Sequence, residues 1–114
     1  MNLTHRLEGS ICIIKVEGKL NIEHARKVRS YIDTLLNTAE FTSVVMDLQK
    51  VTTIDSLGEG VIFLSFGKLT RKKIQLVLCH PVSLSMLFND TYIHNIIPVY
   101  ASEEEAIAHC NTGS

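Results

Sequence analysis

An α/β domain built around a central sheet is predicted for this chain. Strand-like runs alternate with helix-period stretches, the run at 43–48 is apolar almost throughout, and no Pro/Ser/Gly-rich linker, repeat or low-complexity tract interrupts the alternation. The 114 residues fit a single domain spanning 1–114. Apolar residues make up 46% and charged residues 20%, a globular rather than a disordered composition.

The elements follow in order. Residues 3–7 form a first strand, with Glu8-Gly9-Ser10 as the turn into Ile11-Cys12-Ile13-Ile14-Lys15-Val16-Glu17. That run is β-branched and alternates at its end, and Gly18 is expected to stop it. The pair adds an antiparallel edge and makes the sheet mixed. Gly18-Lys19-Leu20-Asn21 reads as a loop whose Asn21 caps a helix. In that helix Ile22, Ala25, Val28, Ile32, Leu35 and Leu36 recur at spacings of three and four, opposite Glu23, Arg26, Lys27, Ser30 and Asp33. Ser43 to Leu48 is a buried strand, and 49–55 a connection. A second helix runs from near Ser56 to about Thr70, with basic residues at its end. Residues 74–79 give another strand, Pro81 opens a short helix through about Phe88, and 96–100 form a short final strand. Ser102 and Glu105 form a capping box for a last helix.

Several function classes are disfavoured. The formal charge of −1 lacks the basic excess of a general nucleic-acid binder. No apolar run approaches the roughly 20 residues that span a bilayer, and residues 1–10 have no signal-peptide core, so a cytoplasmic protein without membrane insertion is expected. Cys12, Cys79 and Cys110 are widely spaced, which suits free thiols. His5, His24, His80, His94 and His109 are scattered without metal-ligand spacing. There is no phosphate-binding glycine loop, and Asp55-Ser56-Leu57-Gly58 is not the nucleophile elbow of a hydrolase. No cofactor, metal or catalytic residue is expected.

The second helix stands out. Leu57, Val61 and Leu64 share one face, while Ile62, Phe66 and Leu69, with Phe63 nearby, share nearly the opposite one. Such a helix is either wedged between sheet and neighbouring helix or offers one stripe to a partner. Gly58, Gly60 and Gly67 lower its propensity and permit close backbone approach. Ser56 with Glu59 matches a capping box, with Asp55 a competing cap. The functional alternative is that Ser56 carries a phosphate, which a helix N-terminus tolerates.

Val44-Val45-Met46-Asp47-Leu48, Val51, and Ile54-Asp55-Ser56-Leu57-Gly58-Glu59-Gly60-Val61 together resemble the signature of the STAS-domain family of bacterial anti-sigma factor antagonists. Gly18-Lys19-Leu20-Asn21, the 74–79 strand followed by Pro81, and Ser102 to Ala108 extend the resemblance over about 5–109. It implies a single STAS-like domain: a mixed four- to five-stranded sheet with about four helices packed mainly on one side. It further implies a partner-switching regulator phosphorylated on Ser56 by a serine kinase that doubles as an anti-sigma factor. A PP2C-type phosphatase would reverse the modification, and a homodimer is compatible with the family. The implied partner-binding residues are Asn21, Ile22, His24, Asp55, Ser56, Leu57, Gly58, Glu59, Ile62, Phe63 and Phe66. Relatives in a stressosome or a lipid-transport ABC complex offer the alternative of an unphosphorylated assembly subunit. Leu57, Glu59 and Asn21 depart from the family's usual Ser, Leu and Asp.

Overall fold

The structure, a computed structural model, describes residues 2–38, 40–79 and 96–112. Among them β1 (Asn2–Glu8), β2 (Ile11–Leu20), β3 (Ser43–Ile54), β4 (Gln75–Cys79) and β5 (Val99–Tyr100) form one sheet in the order β1-β2-β3-β4-β5. The helices are α1 (Ile22–Thr38), α2 (Ser56–Arg71) and α3 (Glu103–Thr112). The helix expected from Pro81 to about Phe88 lies outside the described residues.

β1 pairs antiparallel with β2 across a turn in which Gly9 adopts φ 60°, a left-handed value that favours glycine. The remaining neighbours are parallel, so the sheet is mixed. Parallel strands lie under helices on both faces, which is why β2, β3 and β4 are apolar at successive positions. Cys12, Ile14, Val16, Val44, Met46, Leu48, Leu76 and Leu78 point to one face and pack with Val28 and Ile32 of α1 and Ile62 and Leu69 of α2. Ile11, Ile13, Val45, Val77 and Cys79 point to the other face, where Ala106 of α3 meets them. Two of the three described helices thus share one face, and α3 covers the opposite one. Cys12 and Cys79 are fully buried free thiols in these strands. Burial raises both above the ordinary thiol range, as expected of structural cysteines.

The central strands run further than their sequence suggests. Gly18 does not end β2. It takes φ 105° at a register irregularity, and pairing resumes through Gly18–Val51, Lys19–Thr53 and Leu20–Ile54. The expected loop at 18–20 and connection at 49–54 are therefore a parallel extension of β2 and β3. Its polar residues Lys19, Gln49, Lys50, Thr52 and Thr53 are exposed, while Leu20, Val51 and Ile54 remain buried. The extension ends at Asn21 and Asp55, so both following helices start side by side.

α3 is fixed by polar contacts as well as by apolar ones. Ser102 Oγ accepts a hydrogen bond from Glu105 N at 3.2 Å, the cap expected from the sequence. Glu103 accepts from Arg6 Nη2 at 2.8 Å and lies 3.7 Å from Lys15 Nζ. Its Oε2 is buried and lacks a hydrogen-bond donor among the described residues. The carboxyl of Asp47, buried in β3, hydrogen-bonds to Glu103, while its Oδ1 accepts from Gln49 N at 2.9 Å. Burial, then the neighbouring Glu103, pushes Asp47 up to about 6. Hydrogen bonding to Asp47, then Arg6, holds Glu103 below its ordinary value, against its own desolvation. Protonation of Asp47 would replace a second buried charge beside Glu103 with a neutral group able to donate to it.

Folding raises the Asp47 value, so its stabilising contribution is complete below the unfolded carboxyl range and is lost as pH rises through about 6. Glu103 acts in the opposite sense and only at lower pH. Asp47→Asn keeps a donor toward Glu103 at every pH. The variant should be more stable than the parent above neutral pH, by roughly 1–3 kcal/mol. Urea unfolding between pH 5 and 8 measures this; an unchanged pH slope would refute the shared proton.

Candidate functional site

The candidate site is the corner where α1 and α2 begin. Asp55, the N-cap of α2, carries a carboxylate that serves both helices. Its Oδ1 accepts from Gly58 N at 2.8 Å, and its Oδ2 accepts from Ile22 N at 3.1 Å at the start of α1. One side chain thus satisfies an unpaired N–H in each of two helix first turns. Asp55 N in turn donates to Leu20 O at 3.2 Å. Asn21 caps α1 as expected, its Oδ1 accepting from Glu23 N at 3.1 Å. The His24 Nδ1–H donates to Lys19 O at 2.9 Å, closing the segment before the helix.

Gly58 makes this junction possible. A Cβ at that position would stand 2.2 Å from Leu20 O, closer than any side chain tolerates. A Cβ at Gly60 or Gly67 would meet nothing within 4 Å. Of the three glycines in α2, only Gly58 is therefore required by close backbone approach, and it lies buried under the strand end.

Because Asp55 is the cap, Ser56 is not. Ser56 is the first residue of α2, with an exposed side chain. Leu57 beside it is 50% exposed and Ile22 across the junction 65%. Ile22 was expected on the core face of its helix. At the first position of α1 it lines the open groove between α1 and α2 instead. Glu59, one turn along, is half-buried, and burial raises its carboxyl above the ordinary range.

Ile62 is 0% exposed and packs into the core, so it cannot touch a partner in the folded domain. Phe63 and Phe66 are half-buried against the same core. The open stripe is Leu57 and Leu64, the latter 60% exposed. With Ile22, Ala25, Gly60 and Val61 they line a groove of about 260 Å³ between α1 and α2, edged by Arg26 and Arg29. Leu64, Arg26 and Arg29 were not among the expected contact residues. The shared face of Leu57 and Leu64 was the available signal; nothing local marked the arginines.

A family model described as the STAS domain matches residues 3–106. The chain belongs to the STAS-domain family. It is 25% identical over 112 residues to the anti-sigma F factor antagonist of Paenibacillus polymyxa, covering 94% of each chain. An anti-sigma factor antagonist from Mycobacterium paratuberculosis has the same fold, with a TM-score of 0.81, 14% identity, and coverage of 96% of this chain and 93% of that one. So does the Bacillus cell fate determinant SpoIIAA in its phosphorylated form, with a TM-score of 0.71, 19% identity, and coverage of 96% and 99%. The STAS signature read in the sequence, from Val44 to Val61, is the segment that builds β3, the Asp55 junction and the first turn of α2.

Two substitutions test the junction. Gly58→Ala should lower stability by about 2–3 kcal/mol through the clash with Leu20, whereas Gly60→Ala should be neutral or stabilising by about 0.5–1 kcal/mol. Asp55→Ala should cost about 2 kcal/mol, since a single lost cap already costs about 1. Denaturant midpoints decide both; equal effects at Gly58 and Gly60 would contradict the packing described.

Proposed function

We propose that this STAS-domain protein is an anti-sigma factor antagonist working by partner switching. Its unphosphorylated form binds a serine kinase that serves as the anti-sigma factor, and phosphorylation of Ser56 ends that binding. The observation that carries the reading is the position of Ser56: exposed, at the first turn of α2, relieved of capping by Asp55, and flanked by exposed Ile22 and Leu57. A hydroxyl there is reachable by a kinase without unfolding, and any protein covering Ile22 and Leu57 also covers it. The curated relative named as an antagonist and the phosphorylated form of SpoIIAA support the same reading.

The chemistry is a phosphoryl transfer. The Ser56 hydroxyl oxygen attacks the γ-phosphorus of ATP, the bond to the β-phosphate oxygen breaks, ADP leaves, and the hydroxyl proton passes to the kinase's base. Hydrolysis of the phosphoserine, assigned here to a PP2C-type phosphatase, restores the hydroxyl and releases inorganic phosphate. The added group carries about −1.5 to −2 charge. Burying it without a partner is costly, and a penalty of about 3 kcal/mol weakens binding more than a hundredfold. The partner face comprises Asn21, Ile22, His24, Ser56, Leu57 and Glu59, with Asp55 and Gly58 holding it in shape. Phe63 and Phe66 contribute only their exposed edges.

Intact mass of the protein from its own cells, with and without phosphatase, followed by site mapping, tests the modification. One phosphate is expected, on Ser56, absent in Ser56→Ala. Ser56→Asp should reduce recovery of the bound kinase at least tenfold relative to Ser56→Ala. An unmodified Ser56 across growth and stress conditions, with partner binding indifferent to Ser56→Asp, would instead favour a fixed assembly subunit.

A further inference from the structure

We propose that the α1–α2 groove receives an acidic amphipathic helix of the partner, its apolar face on Leu57 and Leu64 and its carboxylates on the rim arginines. This deepens the partner-binding reading of the preceding subsection and rests on it. Arg29 and Leu64 line both the groove beside Ser56 and a second depression along Ile32, Asp33, Ser65, Lys68 and Arg71, so the two adjoin at these residues as a channel in two segments along both helices. Lys68 pairs with Asp33. Among the described residues Arg26, Arg29 and Arg71 have no ion pair or hydrogen bond from their side chains.

The charge is local. The whole chain carries −1, yet this channel is lined by three arginines and a lysine against one aspartate. The matching occupant is therefore acidic. Its shape is set by the floor: Ala25 and Gly60 leave a concave strip, with open space above Gly60, between two helix ridges. A third helix laid on two others fills such a strip with anchors three and four residues apart. A flat bilayer surface cannot enter it, and a nucleic-acid backbone would leave Leu57 and Leu64 without apolar contact. The sign also accounts for the direction of the switch. Phosphate on Ser56, adjoining Leu57 at the channel's end, repels an acidic occupant and would attract a basic one.

The test uses the full chain and three probes: a synthetic helical peptide with leucines on one face and glutamates elsewhere, its lysine counterpart with the same leucines, and phosphatidylglycerol-containing vesicles. Side-chain methyl NMR follows Ile22, Leu57 and Leu64. The glutamate peptide should shift these signals saturably, weaken with added salt, and lose about tenfold in affinity in the Arg26→Glu, Arg29→Glu double variant. Arg26→Lys with Arg29→Lys should retain most of the binding, and circular dichroism should show both variants folded. Equal binding of the two peptides, or of neither, overturns the proposal. Vesicles that shift the same methyls, with no response to the glutamate peptide, overturn it in favour of a membrane. Self-association that shifts the same methyls on dilution, again without a peptide response, overturns it in favour of a second copy. Selective binding of the glutamate peptide upholds the groove even where Ser56 is never phosphorylated. A phosphorylated Ser56 with no peptide selectivity upholds the switch and rejects the groove.

Discussion

The Asp55 carboxylate is the constraint on which the site depends. Two helices that begin at neighbouring strand ends each present unpaired N–H groups and a positive dipole end. Left to themselves these ends would spread apart or solvate separately. Asp55 accepts from both, at Gly58 N and Ile22 N, and anchors its own backbone N–H on Leu20 O. The absence of a side chain at Gly58 lets α2 approach that same carbonyl. Together these contacts fix the separation of α1 and α2. The separation sets the width of the groove between them and keeps Ile22 and Leu57 uncovered.

The sheet divides the labour between its faces. α1 and α2 lie on one face with most of the core, and α3 lies on the other through Ala106 and the Asp47–Glu103–Arg6 cluster. The titrating pair is thus on the face away from Ser56. Protonation of Asp47 would bear on the seating of α3, whereas a phosphate on Ser56 would stand at the corner of α1 and α2. Cys12 and Cys79 sit inside the strands, where burial keeps their thiols protonated and inert.

The alternation of elements was legible because each has a distinct physical signature. Period-two or continuous apolar runs marked β2, β3 and β4, the three- and four-residue spacing marked α1, and Ser102 with Glu105 marked α3. The strand ends were not legible. Lys19, Gln49, Lys50, Thr52 and Thr53 look like loop residues because the extended part of the sheet exposes every side chain but Leu20, Val51 and Ile54. Gly18 looks like a stop, yet its φ of 105° serves a register shift inside the strand. In the candidate site, Ser56 was singled out by its place at a helix start and by the STAS resemblance, Leu57 as a partner contact by the resemblance, and Asn21 as a cap by its residue type. Ile62 was misplaced on the partner face because periodicity gives two apolar stripes on α2 and does not say which one meets the sheet. The second role of Asp55, toward Ile22, joins residues far apart in the chain and has no local signature.

The magnitudes also decide where a phosphate on Ser56 would act. Within the domain it would stand at a helix N-terminus, where a negative charge gains about 0.3–1 kcal/mol when exposed. Asp55 already occupies the inward-facing N–H groups, so the phosphate would remain outside, in water, with the fold intact. At an interface the same charge must shed its hydration, and that cost exceeds the dipole's contribution severalfold unless the partner supplies cations. An acidic partner supplies none. The junction would therefore separate two effects of such a modification: the domain would tolerate it, and the proposed complex would not. Asp55 rather than Ser56 accepts from Gly58 N, so phosphorylation of Ser56 would leave the cap of α2 in place.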